Sequence, residues 1–284
     1  MTFSWTAPTF HLGPLLVAGG TALWYLEATS HDELRATRGQ RLAFFGGLLS
    51  AVVALSWPLA DLATSVSLLA VVAQRLVLVL VTAPLLLLGT PPSVMARLTR
   101  PAPIDAVARR LVRPLTALVV TTVTLGVTAL PFSVAWASEH AVVRIALLVA
   151  VLCAGIVLWL PVIDRVPGVT HLRPMLKGGY LVAQALAPTF LSFAWIFALH
   201  PLYHSLHGQH RALGIAPLTD QQLSGYLAKL ATFGVLLSVA YALFMRSDAS
   251  EELEDDPLRW ADVQREFERA ERAERRSGAT GSSA

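Results

Sequence analysis

Long apolar runs separated by short polar segments repeat along the chain. About seven of them are near the length of about 20 apolar residues that a helix needs to cross a bilayer. They occupy residues 13–28, 42–59, 64–88, 115–132, 141–163, 179–199 and 223–244. Backbone polar groups in lipid must bond within their own segment, so these runs are predicted to be helices. The pattern therefore predicts an all-α, polytopic membrane bundle of about seven transmembrane helices.

Composition supports the membrane assignment. The chain is 55% hydrophobic and 14% charged, with a mean hydropathy of +0.58. Such values exceed those of ordinary soluble domains. The single cysteine, Cys153, permits no disulfide within the chain and no CxxC metal or redox motif.

Arginines mark alternate connections between the predicted spans. Connections after the first, third and fifth spans hold most of the positive charge: Arg35, Arg38, Arg41, Arg97, Arg100, Arg109, Arg110, Arg113, Arg165, Arg173 and Lys177. The positive-inside rule assigns these connections to the cytoplasm. We therefore expect the N-terminus outside and the C-terminus in the cytoplasm.

Two parts of the chain differ sharply in charge. Residues 1–246 form the predicted membrane domain, whereas residues 247–284 carry 11 acidic residues against 6 arginines. Residues 257–276 can form a helix with i,i+4 Glu–Arg pairs, followed by a Gly/Ser-rich end. We expect a cytoplasmic tail that is partly helical and then disordered.

Proline and glycine cluster near the end of the third run. Pro84, Gly89, Pro91 and Pro92 predict that the third span ends here, because proline interrupts helical hydrogen bonding. The carbonyls that this leaves open are expected to be satisfied by the arginine-rich loop that follows.

A few polar residues lie where lipid disfavours them. Gln74 and Arg75 fall within the third run, and Arg75 is expected to face the bundle interior and pair with Asp220 or Glu139. Its role is either that of a structural ion pair or that of a contact to a substrate or partner. Arg144, one turn after Glu139, is expected to reach the interface.

Histidines concentrate between the sixth and seventh runs, on the predicted outer face. His200, His204 and His207 follow i,i+4 and i,i+3 spacing, so on one helix they would share a face able to bind copper or zinc. His140 lies on the same predicted side. The alternative is a polar loop with hydrated imidazoles, because Pro201 disfavours a helix that includes His200.

Four motifs resemble one known family. These are "QR" followed by "APLLLLGTPP", "LWLPVID" from Leu158, "HPLY" from His200 to Tyr203, and "GIAPLTDQQLSG" from Gly214. They are similar to motifs of the CtaG-type assembly factors of caa3 cytochrome c oxidases, a bacterial seven-span family. The resemblance implies a non-enzymatic factor that helps to mature the copper centre of a haem–copper oxidase. Its implied partners are oxidase subunits and membrane lipid, not nucleic acid, and copper is the implied cofactor.

The chain departs from this family at the implied metal site. The family usually has His-x-x-x-His in the third span and further histidines at the start of the fifth span. Here Val71 and Arg75 occupy the first pair of positions, and Arg144 stands near His140. Arginine has no lone pair to give to a metal. The copper site is then either lost in favour of partner binding or moved to the loop histidines.

The "DQQ" triplet does match the family. Asp220, Gln221 and Gln222 place a carboxylate and two amides at the predicted outer end, where they are expected to hold Arg75.

A different class of function remains open, namely a transporter or channel for a small solute whose pathway is lined by Arg75 and Asp220. No inverted repeat supports that alternative.

Overall fold

A computed structural model describes residues 12–30, 35–65, 67–168, 172–203, 214–254, 264–265 and 267–269. The elements in this part of the chain are helical, without strands, which confirms the all-α prediction. The main helices are α1 Leu12–Ala28, α2 Arg38–Leu55, α3 Leu59–Ser65, α4 Leu68–Gly89, α5 Pro92–Leu98, α6 Ala102–Leu111, α7 Pro114–Ala129, α8 Pro131–Glu139, α9 Ala141–Trp159, α10 Pro174–Leu186, α11 Thr189–Ile196 and α12 Pro217–Glu254.

Several of these helices are consistent with a multi-pass membrane protein. Four described segments are long and apolar enough to cross a bilayer: α4, α9, α12 as far as Arg246, and α10 together with α11. A fifth is obtained if α6 and α7, which meet at 90°, count as one span. The predicted number of seven is not reached, because α1 has 17 residues and α2 begins with the polar sequence Arg-Gly-Gln-Arg.

Helix α4 is the central element. It packs against α2, α9 and α12, and its apolar side chains are the most deeply buried among the four spans. Residues 77–82 of α4 form a π-helical turn directly before Pro84. The prediction that Pro84 helps to end the third span was wrong. A proline inside a helix obstructs a carbonyl one turn earlier, and local π geometry is one way to accommodate it. The helix ends at Gly89, before Thr90 and Pro91.

Two predicted spans have different boundaries in the structure. The run 64–88 contains a break, because α3 ends at Ser65 and α4 begins after Ser67. The run 179–199 is divided into α10 and α11 at Ala187 and Pro188. At the proposed boundary between membrane domain and tail, α12 continues without interruption to Glu254. Most of the predicted tail helix lies outside the described residues.

The bundle has an Asp220 end and an Asp164 end. The Asp220 end contains Ser67, Ala129, Tyr203 and the start of α12. The Asp164 end contains Gly89, Lys177 and the end of α9. The Asp220 end contains "HPLY" and "GIAPLTDQQLSG", and the Asp164 end contains "LWLPVID" and the last residues of "APLLLLGTPP".

Candidate functional site

Asp220 caps the first turn of α4. Its Oδ1 accepts a hydrogen bond from the Ser67 hydroxyl at 2.5 Å, and its Oδ2 accepts one from the Leu68 backbone N–H at 2.7 Å. Ser67 is itself the N-cap residue and accepts from the Ala70 N–H at 3.3 Å. Helix N-termini favour negative charge because the first N–H groups lack partners within the helix. The buried carboxylate therefore ties the start of α12 to the start of α4.

Gln221 and Tyr203 fix the "HPLY" segment in place. The Gln221 Oε1 accepts from the Leu202 N–H at 2.7 Å. The Tyr203 hydroxyl donates to the Ala129 carbonyl at 2.5 Å and accepts from the Trp195 indole N–H at 3.0 Å. Two motifs that are 10 to 20 residues apart in the sequence therefore meet at the Asp220 end.

The Tyr203 hydroxyl is neutral at physiological pH. Burial raises the pKa of Tyr203 to about 12, although its hydrogen bond from Trp195 and the positive charge of Arg75 both act in the opposite direction. Tyr203 is 4% exposed and lies in an apolar cluster with Leu68, Val72 and Trp195. It acts as a hydrogen-bonding anchor in this environment.

Ser224 and Gly225 complete the role of the "DQQLSG" motif. The Ser224 hydroxyl donates to the Asp220 carbonyl one turn earlier, at 2.6 Å. A Cβ at Gly225 would lie 2.9 Å from the Ser192 carbonyl oxygen and 2.7 Å from Ile196, which is closer than a side chain tolerates. Glycine is therefore required where α12 crosses α11.

Gln74 is buried and donates from Nε2 to the Ala54 carbonyl at the end of α2, at 2.8 Å. Its neighbour Arg75 is surrounded by protein on nearly every side, although part of its surface stays accessible. It lies close enough to Tyr203 for an electrostatic interaction. The expected ion pair with Asp220 or Glu139 is not formed in the described residues, because Asp220 binds the start of α4 and Glu139 is exposed.

Two further predicted site residues lie outside the hydrogen-bond network. Arg144 is half-buried in the first turn of α9, and Gln222 is half-buried beside Gln221. In the part of the chain that the structure describes, neither side chain has a hydrogen bond to another residue. Their predicted structural or partner-binding roles stay predictions.

The candidate metal ligands do not converge within the described residues. His140 and His200 are both exposed, and the His140 ring packs edge-on against Trp136. His204 and His207 lie outside the described residues. No group of three His, Cys, Asp or Glu side chains suited to a metal ion occurs in the described ranges. At the positions where the resemblance implies copper ligands, Val71 is buried and Arg75 cannot ligate, so these residues do not fit a copper ion.

A second polar network, which the sequence analysis missed, lies toward the Asp164 end. The Trp159 indole N–H donates to the Val79 carbonyl in the π-helical turn of α4 at 2.9 Å. A Cβ at Gly155 would lie 2.9 Å from the Val79 Cα, so glycine permits α9 to approach this turn. The π-helical turn of α4 is thus stabilised by a donor from the "LWLPVID" motif, at a site where lipid offers no replacement.

The rest of that motif joins α10 to the same end. The Leu158 carbonyl accepts from the Tyr180 hydroxyl at 2.9 Å, and Asp164 forms an ion pair with the buried Lys177. The Leu88 carbonyl accepts at 3.1 Å from Arg165, which follows α9 and does not belong to the arginine-rich loop after α4 that was expected to supply this donor. The signal for this network was present in the sequence as polar and aromatic residues inside apolar runs. Their partners are backbone carbonyls, however, which no sequence pattern identifies.

Comparison with known proteins agrees with the motif assignment. No curated protein and no solved structure matches the chain. The family model described as cytochrome c oxidase caa3 assembly factor (Caa3_CtaG) matches residues 20–248, which include all four motifs. This confirms the resemblance, and the chain belongs to the caa3 cytochrome c oxidase assembly factor family.

Proposed function

We propose that this protein binds a subunit of a haem–copper oxidase at the Asp220 end and assists maturation of its copper centre. The family supports a role in oxidase assembly. The observation that carries the proposal is the convergence of Asp220, Gln221 and Tyr203, which tie the connection before α12 to α4 and α7. This network gives the Asp220 end a fixed shape, as a recognition surface requires.

The Asp220 end is proposed to face the outside of the bacterial plasma membrane. The arginine-rich connections that carry Arg97, Arg110 and Arg173 lie at the opposite ends of the spans, and the positive-inside rule assigns them to the cytoplasm. The apolar helices α1 and α2 bring the proposed number of spans to seven, with the N-terminus outside. The copper centre of an oxidase client would then be approached from the outer face.

A non-catalytic role fits the chemistry of the Asp220 end. Asp220 and Tyr203 are buried and hydrogen-bonded to Ser67, Leu68, Ala129 and Trp195, which fits an anchoring role better than that of a general acid, base or nucleophile. The polar groups instead fix the backbone of three segments. We therefore propose a membrane chaperone that holds its client, with copper as the client's metal.

The decisive experiment is deletion of the gene followed by complementation. We expect membranes of the deletion strain to contain less assembled oxidase, seen in the haem a absorption band, and less copper per oxidase by mass spectrometry. Complementation with the wild-type gene should restore both quantities. Normal oxidase and normal copper content in the deletion strain would reject the proposal, and solute flux by the purified protein in liposomes would then favour the transporter alternative.

Copper binding by the chain itself requires a separate measurement. Copper(I) and copper(II) binding is measured on the detergent-solubilised protein and on a variant with His200, His204 and His207 changed to alanine. Binding at one ion per chain that is lost in the variant would assign a metal site to the loop. Absence of binding by both proteins would place all copper chemistry on the client or on another factor.

A further inference from the structure

Arg75 is a cation in the interior of the bundle without an acceptor. It lies seven residues after Leu68 in α4, about 10 Å along the axis from the Asp220 end at 1.5 Å per residue. Among the described residues, its side chain takes part in no hydrogen bond and no ion pair. Arginine stays charged, and charged groups at membrane depth are normally paired. The described residues therefore leave the charge of Arg75 unmatched.

The neighbouring groups of the protein do not neutralise Arg75. Asp220, the nearest acid in the motif, is already occupied by Ser67 and Leu68. The Tyr203 hydroxyl is close but uncharged, since burial raises its pKa to about 12, and it already donates to Ala129. The counter-charge therefore has to come from outside this set of residues.

A second group at the same end is also an unpartnered donor. Gln221 is 2% exposed, its Oε1 accepts from Leu202, and its Nε2 has no hydrogen-bond partner among the described residues. The Trp57 indole N–H, in the turn after α2, is buried and unpartnered in the same way. Buried polar groups are almost always paired, so such atoms indicate an absent partner. The Gln221 Nε2 and the Trp57 Nε1 are both N–H donors.

The chemistry of these donors selects an anion. A metal ion needs lone pairs, which neither a guanidinium nor an amide N–H₂ supplies. A guanidinium offers parallel N–H groups that match the two oxygens of a carboxylate. We propose that Arg75, assisted by the Gln221 carboxamide, binds a carboxylate that enters from the Asp220 end. A carboxylate receptor thus stands where the family resemblance implied a metal ligand.

Two sources can present this carboxylate. One is a small molecule with a carboxylate group, and the other is an acidic side chain of the oxidase subunit that the proposed function requires. Only the second source rests on the proposed function. The chemistry at Arg75 is the same for both, so separate measurements identify the source.

The first measurement is thermal unfolding of the full-length protein in detergent with sodium propionate as the probe, at constant ionic strength against sodium chloride. We expect propionate to raise the Tm in a saturable manner. In Arg75→Gln the apparent Kd for propionate should weaken at least about tenfold, the loss expected for one charge-assisted hydrogen bond. Arg97→Gln is the matched control, because Arg97 is exposed in α5 at the other end, and its response should equal that of the wild type.

A second variant that keeps the positive charge tests the proposal even if Arg75→Gln does not fold. Arg75→Lys retains the cation but lacks the planar pair of donors, so its propionate affinity should fall several-fold. The second measurement is co-purification of oxidase subunits with the tagged protein. Loss in Arg75→Gln, with retention in Arg97→Gln, places the carboxylate on the subunit. A propionate response that requires Arg75, without loss of co-purification, places it on a small molecule.

The proposal is overturned if neither the propionate response nor co-purification depends on Arg75. Failure of the carboxylate site can be distinguished from failure of the proposed assembly function. An Arg75-dependent propionate response in a protein whose deletion leaves the oxidase intact would sustain the carboxylate site and reject the assembly role.

Discussion

Removal of the Asp220 carboxylate is the perturbation for which the structure gives the clearest magnitude. In Asp220→Ala, the Ser67 hydroxyl and the Leu68 N–H both lose their acceptor in a buried site. Each unsatisfied buried donor costs about 1–3 kcal/mol, so the free energy of unfolding should fall by about 2–6 kcal/mol. In Asp220→Asn the amide oxygen can accept from the Leu68 N–H and the N–H₂ can donate to the Ser67 hydroxyl oxygen, so mainly the negative charge at the helix start is lost, which should cost about 0.3–1 kcal/mol.

The assay is reversible unfolding of the purified protein in mixed micelles with increasing dodecyl sulfate. Asp105→Asn is the matched control, because Asp105 forms an i,i+4 pair with the exposed Arg109, at 2.8 Å. That pair contributes less than about 0.5 kcal/mol. The expected order of stability is wild type and Asp105→Asn together, then Asp220→Asn, then Asp220→Ala.

A double-mutant cycle with Ser67→Ala tests whether the effect arises at the cap. If the two side chains interact as the structure shows, the two single losses in free energy of unfolding should add up to more than the loss in the double variant. The difference should be at least about 0.5 kcal/mol. Strict additivity, or an Asp220→Ala variant as stable as the wild type, would refute the capping role of Asp220.

Three further predictions concern the contacts of α4 and α9. Trp159→Phe removes the indole donor to the Val79 carbonyl and should cost about 1–3 kcal/mol in mixed-micelle unfolding, whereas Trp24→Phe, at a 43% exposed position, should be nearly neutral. Gly155→Ala brings a methyl group against Val79 and should lower the free energy of unfolding by about 1–3 kcal/mol. The control is Gly126→Ala, which has open space around it and should raise the free energy of unfolding by at most about 1 kcal/mol. The double change Val71→His and Arg75→His restores the i,i+4 histidine pair implied by the resemblance. We expect this variant to bind copper stoichiometrically in equilibrium dialysis. If it binds no more copper than the wild type, these positions do not align with the metal ligands of the family.

The apolar pattern predicted that the chain is helical, but not where single helices end. Residues 64–88 form one apolar run because Ser65 and Ser67 are small and neighbour hydrophobic residues, yet Ser67 caps a new helix by accepting a hydrogen bond from the Ala70 N–H. Its hydroxyl also donates to Asp220, 153 positions away, and local pattern carries no signal for that contact. Likewise, Pro84 interrupts hydrogen bonding, but the π-helical turn before it absorbs the disturbance.

Sequence motifs located the Asp220 end better than charge pairing did. The "HPLY" and "PLTDQQLSG" motifs meet in the structure through Gln221 and Leu202. The pairing of Arg75 with Asp220 failed because it assumed that opposite charges in one region must bind each other. The open N–H groups at the start of α4 compete for the same carboxylate, and geometry places them in contact with it.

The two ends of the bundle differ in how a cation among the helices is paired. At the Asp164 end, Lys177 is 7% exposed and has an acid of its own, Asp164, as its partner. At the Asp220 end the motif acid binds the start of α4, and Arg75 is left without an acceptor among the described residues. A desolvated charge without a partner destabilises a protein unless something supplies the opposite charge. Lys177 is therefore neutralised within the protein, whereas we propose that Arg75 is neutralised by a bound carboxylate.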